Sequence, residues 1–249
     1  MDTRHWLFAL LLGCSAGAGA ADLTQSTITQ VVKDVKVQMP GAAAAAPAQI
    51  NALFKAPDSL RTGAESRAEL TASDQTLTRI GANTVFSFEN AGRTINLEQG
   101  SLLFHAPKGK GGGVIKSGGA SAAVLGTTII VSYSPQTGFK VVVLEGSASV
   151  SLADGTARVI NAGQLIIVLP GGKSFGQQQS IDLAKLVAGS RLINGFSNDL
   201  PSLALIKAAI AAQQNGSPAE DFASQDHDPK IDNNTFESGP PNNRRGSQF

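Results

Sequence analysis

The chain has 249 residues, a formal net charge of +1, 42% hydrophobic residues and only 5% aromatic ones. That length holds one ordinary domain with extensions, and its core must be filled mainly by Val, Ile, Leu and Ala. Near-neutral charge with no clustered basic face argues against a nucleic-acid binder, which needs cations set against phosphates; Lys108-Gly109-Lys110 reads as a solvated loop.

The N-terminus has the pattern of a secretion signal. Arg4 and His5 give a basic start, Trp6 to Leu12 a short apolar run, and Ala18-Gly19-Ala20 a small-residue cleavage site, so residues 1–20 are expected to leave a mature chain starting near Ala21. The expected location is periplasmic or secreted. An alternative is a lipoprotein, because Leu11-Leu12-Gly13-Cys14 resembles an acylation box. Cys14 is the single cysteine, so no intramolecular disulfide forms. No stretch approaches the ~20 apolar residues that a spanning helix needs, and no transmembrane segment is expected in the mature chain.

Thr27 to Val37 mixes Ile28, Val31, Val32, Val35 and Val37 with polar residues and predicts one or two strands. Pro40-Gly41, the alanine run 42–46 and Pro47 predict a surface loop, since five alanines flanked by prolines cannot nucleate a helix. From Asp58 to Gly172 apolar residues alternate. Phe86 and Phe88 share a face with Ser87 opposite; Ile95 and Leu97, Leu102 and Phe104, Phe139 with Val141 and Val143, and Ala148 with Val150 and Leu152 repeat the period of two. Asn90-Ala91-Gly92, Gln99-Gly100, Pro135 to Gly138, Asp154-Gly155 and Asn161-Ala162-Gly163 separate these runs with turn-forming residues. Asn96 to Ser101 and Val143 to Ser147 echo one another, as if one strand–glycine–strand device were used twice. Pro107 to Gly119 is expected to be a flexible hairpin loop.

Beyond Gly172 the period becomes helical. Leu183, Leu186 and Val187 predict a short helix capped by Ser180 or Asp182 and ended by Gly189. Leu203, Ile206 and Ile210 stripe a second one after Asp199, with Pro201 in its first turn. That stripe fits packing on its own domain, or docking on a partner. From Asn215 to Phe249 apolar content collapses, and a disordered tail is expected.

No catalytic, cofactor-binding or metal-binding residue set emerges. Lys116-Ser117 is preceded by Ile115 where a phosphate loop needs glycine. Gly119-Ala120-Ser121-Ala122-Ala123 lacks the second glycine and the helix of a serine-nucleophile elbow. Glu65, Glu69, Glu89, Glu98 and Glu145 sit at turn and strand-edge positions and read as solvated surface, not as a converging acid pair. His105 and Glu98 flank the same corner, but one histidine without cysteines is a poor zinc site; His105 reads as a capped strand-end residue. Tyr133 and the phenylalanines are the aromatic residues left for stacking against a sugar.

Several of these segments resemble a FecR domain. Asp58 to Gly63, Ser66 to Leu70 and Gly81-Ala82-Asn83-Thr84 look like its opening. Leu97 to Leu102 matches its strand–glycine corner, Leu125-Gly126-Thr127 its Gly-Thr signature, and Val143 to Ser147 with Ala162-Gly163-Gln164 its closing motifs. The resemblance runs from about Thr27 to Val168. It implies an all-β module outside the bacterial inner membrane, whose relatives relay signals to a sigma factor and an outer-membrane receptor. No sigma-binding segment is expected ahead of the signal and no spanning helix is expected, so a free-standing adaptor is the expectation.

The expected fold is therefore all-β, an antiparallel β-sandwich or short solenoid-like stack of hairpins, with one or two C-terminal helices and a disordered tail. The expected layout is a signal at 1–20, a FecR-like domain at 27–172, a helical extension at 173–214 and a tail at 215–249. The expected function is a non-enzymatic module with an envelope protein as partner; a carbohydrate or cell-wall binding module is the alternative.

Overall fold

A computed structural model describes residues 21–216. The expected signal, Cys14 and nearly all of the expected tail lie outside those residues. Among the described residues the chain folds into two sheets packed face to face. One sheet, called the covered sheet here, has nine strands in the order β4 (Leu53–Lys55), β1 (Gln25–Val32), β6 (Arg67–Thr71), β7 (Leu77–Ile80), β9 (Thr94–His105), β12 (Thr128–Ser134), β13 (Gly138–Glu145), β16 (Gln164–Val168) and β17 (Gln179–Ser180). The other, the open sheet, runs β3 (Ala46–Pro47), β2 (Val35–Gln38), β5 (Ser59–Thr62), β8 (Val85–Phe88), β9 again, β10 (Gly113–Ser117), β11 (Ala120–Val124), β14 (Ser147–Leu152) and β15 (Ala157–Asn161).

Strand β9 belongs to both. Residues 94–99 pair in the open sheet and residues 100–105 in the covered one. Gln99-Gly100 is therefore not a break between strands, as expected, but a bend inside one. Gly100 takes φ +93, and a Cβ there would lie 2.3 Å from Thr84 Oγ1. The expected echo is real in three dimensions. At the first corner Thr84 Oγ1 accepts the Ser101 amide at 3.0 Å; at the second, Gly146 takes φ +77 and Thr127 Oγ1 donates to the Ser147 carbonyl at 3.0 Å. In both, a threonine from the neighbouring corner ties down the residue after the glycine.

The corners stack in two columns. Gly63 N donates to the Asp34 carbonyl and Asn83 N to the Gly63 carbonyl, which aligns the β1–β2, β5–β6 and β7–β8 crossings. Past β9 the crossings use the opposite edge: Ala106 N donates to Thr127 O, and Ala162 N to Gly146 O. The strand-to-strand ladders are antiparallel apart from β9 with β10. That pair corrects the expected loop at 107–119. Val114 and Ile115 are enough apolar sequence to form a strand, because the chain re-enters the open sheet from the same edge that β9 did.

The core between the sheets holds the alternating residues as expected, including Phe86, Phe88, Ile95, Leu97, Leu102, Phe104, Val141, Val143 and Val150. Phe54, Phe86 and Phe88 form a ring cluster with centroids 5.2–5.6 Å apart. A second core lies outside the covered sheet. Leu77, Leu103, Ile130, Val142, Leu144 and Leu165 face away from the first core and meet Leu183, Leu186, Leu192, Ile193 and Ile206. These come from α1 (Leu183–Gly189), α2 (Arg191–Asn194) and α3 (Leu203–Gly216). Asp182 caps α1, as expected, by accepting the Lys185 amide at 2.9 Å. The stripe of α3 packs on its own domain. The single turn of α2 had no periodic signal, and α3 extends through Asn215 and Gly216, where the tail was expected to begin.

Candidate functional site

The structure separates His105 from Glu98. His105 ends β9 in the covered sheet and is 6% exposed, whereas Glu98 is exposed on the far side of the Gly100 bend. His105 instead meets Thr128, with Nδ1 2.9 Å from Oγ1. Thr128 Oγ1 also donates to Glu145 Oε1 at 2.8 Å and lies 2.7 Å from Ser202 Oγ, at the start of α3. A hydroxyl has one proton and two acceptor sites. With that proton on the Glu145 carboxylate, Ser202 and His105 Nδ1–H both donate to the Thr128 oxygen. Glu145 and Ser202 are 5% and 1% exposed, so the cluster is enclosed, and the threonine stands between the serine and the histidine. Its effect is to tie a corner of the covered sheet to α3.

Burial holds the His105 imidazole below its usual pKa. The unfolded chain takes up a proton near pH 6.5 and the folded chain resists it until lower pH. Stability contributed by neutral His105 is therefore complete above about pH 6.5 and falls as pH drops towards the folded value. The unfolding midpoint should decrease between pH 7.5 and 5, and His105→Asn should flatten that slope; equal slopes would show that other groups govern it.

Two of the expected surface acids are interior. Glu69 is 3% exposed and Glu145 5%. Glu69 receives Arg79 Nε at 2.8 Å, Thr29 Oγ1 at 2.9 Å and Gln30 Nε2 at 3.0 Å. Arg79, with a fully buried side chain, also donates to the carbonyls of Leu192 and Ile193 at the end of α2 and lies 4.5 Å from the Phe196 ring centroid. Sequence reasoning missed this clamp, because an Arg in a Thr-Arg-Ile strand normally reads as solvent-facing. Glu65 and Glu89 are surface residues paired with Lys33 and Lys116. Among the described residues no group of three His, Cys, Asp or Glu could hold a metal ion, and no helix is long and apolar enough to cross a membrane.

The accessible features lie on the open sheet and at the corners. Ser59, Ser87, Asn96, Lys116, Ser121 and Ser151 are register partners in turn, so they form one row across five strand pairings on the outer face. An open depression of about 510 Å³ lies at the end of the row by the β10–β11 hairpin, lined in part by Asn96, Glu98, Lys116, Ser121, Tyr133 and Ser151. The alternating serines of Ser147 to Ser151 were a legible sign of this face. At the β11–β12 corner Leu125 projects with 83% of its surface exposed. Gly126 at φ +77, packed on Lys108, and the Ala106–Thr127 hydrogen bond hold that corner.

Residues 58–149 match the model of the family described as FecR protein. They contain most of the segments that carry the resemblance in the sequence. Two crystal structures, at 1.65 and 2.50 Å, of what their titles call a "putative anti-sigma factor" from Parabacteroides distasonis ATCC 8503 are similar at 19% and 20% identity. Each alignment covers 52% of this chain and has a TM-score of 0.46. The chain covers 63% and 62% of those structures, less than two thirds of their length. Comparison with curated proteins gives no match.

Proposed function

We propose that this chain, which carries a FecR domain over residues 58–149, is an exported, non-enzymatic module that binds another protein of the cell envelope. The family match supports a regulatory or protein-interaction module. The observation that carries the reading is Leu125. It lies inside the matched stretch, it is 83% exposed, and its corner is tied on both sides by backbone hydrogen bonding and a threonine. An apolar side chain held outward on a stiff loop is suited to serve as an interface anchor. The covered sheet has its outer face occupied by α1–α3, so a partner meets the corners or the open sheet. Export rests on the basic start, apolar run and small residues of the first twenty positions.

A photo-crosslinker placed at position 125 in intact cells should give one discrete protein adduct, and Leu125→Lys should weaken capture of that protein about tenfold or more, the loss expected of an interface anchor. Recovery of glycan alone would sink the reading. Sequencing the mature N-terminus should find Ala21 or a close neighbour; an acylated Cys14 would place the module on a membrane instead.

A further inference from the structure

The polar row on the open sheet is unusual in what it leaves out. Its six residues are short and neutral except Lys116, and Lys116 Nζ is held by Glu89 at 2.9 Å. Neighbouring strands stand ~4.8 Å apart, so the row presents hydrogen-bonding groups at a regular step over roughly 24 Å. Short side chains lose little rotamer entropy when a ligand orders them.

The depression adds an aromatic wall to this row. Tyr133 is half-buried against the inter-sheet core and reaches the depression beside Gly118. A Cβ on Gly118 would lie 2.3 Å from Tyr133 Cε2, so glycine there lets the ring rest against the β10–β11 hairpin. Glu98 is exposed on the same wall, and among the described residues no cation forms an ion pair with it.

We propose that the depression and the row leading from it bind one strand of a linear, uncharged polysaccharide. A tyrosine ring fits the apolar face of a hexopyranose. Asn96, Ser121 and Ser151 can both donate to and accept from sugar hydroxyls, and the Glu98 carboxylate can accept two at once. The row then offers the same chemistry at each successive strand, which matches a ligand that repeats. Other polymers fit less well. A protein interface needs a large apolar or aromatic centre, which the row lacks. A polyanion needs unpaired cations, and here the row's one cation is paired and an acid stands beside it. The site is independent of Leu125, which lies at the β11–β12 corner and not in the row.

The test is calorimetric titration of the full chain with chitohexaose and with cellohexaose, with heparin as the polyanion control. Saturable binding of at least one neutral hexasaccharide is expected, with none for heparin. Tyr133→Ala should weaken it about tenfold, the loss expected of an aromatic anchor. Because Tyr133 also touches the core, Ser121→Leu serves as the second variant: it sits at a half-exposed position, should leave the unfolding midpoint unchanged, and should abolish binding by blocking the row. The proposal is overturned if no hexasaccharide binds at millimolar concentration, if Ser121→Leu binds like the unaltered chain, or if heparin binds and competes. It is equally overturned if a crosslinker at position 121 captures protein and no glycan. Loss of the position-125 adduct with intact sugar binding would strike the protein-partner reading alone.

Discussion

Replacing Arg79 with Ala should lower the unfolding free energy by about 3–5 kcal/mol, the range seen when one member of a buried ion pair is removed. The side chains of Arg79 and Glu69 are 0% and 4% exposed, so the abandoned carboxylate cannot recover its solvation from water. Thr29 and Gln30 still bind it but do not neutralise it. The carbonyls of Leu192 and Ile193 lose their donor as well, at the helix end where a cation is favoured. Arg79→Lys should recover only part of the loss, because an ammonium cannot reach a carboxylate and several carbonyls in one plane. Arg79→Met with Glu69→Gln should be milder than Arg79→Ala, since no charge is then buried. Urea unfolding measures all three, and limited proteolysis between residues 190 and 200 reports whether α2 has come loose. An Arg79→Ala protein as stable as the original would mean that the clamp only decorates the apolar packing.

A comparable loss is expected from Gly100→Val, by another route. The residue takes φ +93, where an L side chain is strained by roughly 1–2 kcal/mol. Its Cβ would also lie 2.5 Å from the Thr84 Cα, a backbone atom that cannot rotate away. Overpacking of this kind adds about 1–3 kcal/mol, and here it falls where both sheets meet. Little soluble protein should be recovered. Gly155→Ala is the matched control: it has φ +87 but nothing within 4 Å of the added carbon, so only the strain applies. If both variants lowered the urea midpoint equally, the close approach at Thr84 would be irrelevant.

The sequence was most informative where a strand has one wet face. Phe86-Ser87-Phe88 and Ser147 to Leu152 alternate cleanly, and both lie in the open sheet. Ile129 to Val131 and Val141 to Leu144 are unbroken apolar runs, because they sit between the inter-sheet core and the helices. Those unbroken runs were a sign that something covers the second face. Glycine showed where the chain bends but not whether it bends back or passes on into the other sheet, since the same left-handed residue serves both. Glu69, Glu145 and Arg79 were illegible for a related reason. A charged residue in a strand is normally outward and wet, and only the tertiary position of α2 and α3 makes these three interior. Of the polar row on the open sheet, the serines could be read from the sequence; their alignment with Asn96 and Lys116 depends on a parallel pairing that no local pattern announces.

The neighbours of β6 and β13 bear on how such a module can be divided. The stretch that matches the family model stops short of β1 on one side and β16 on the other, yet β1 zips onto β6 and β16 onto β13. Cut out at the limits of the match, the segment would keep its recognisable letters but bare two ragged flanks and lose Ile28, Phe54 and Ile166 from its interior. The stretch that matches the family is thus shorter than the stretch that shares one core.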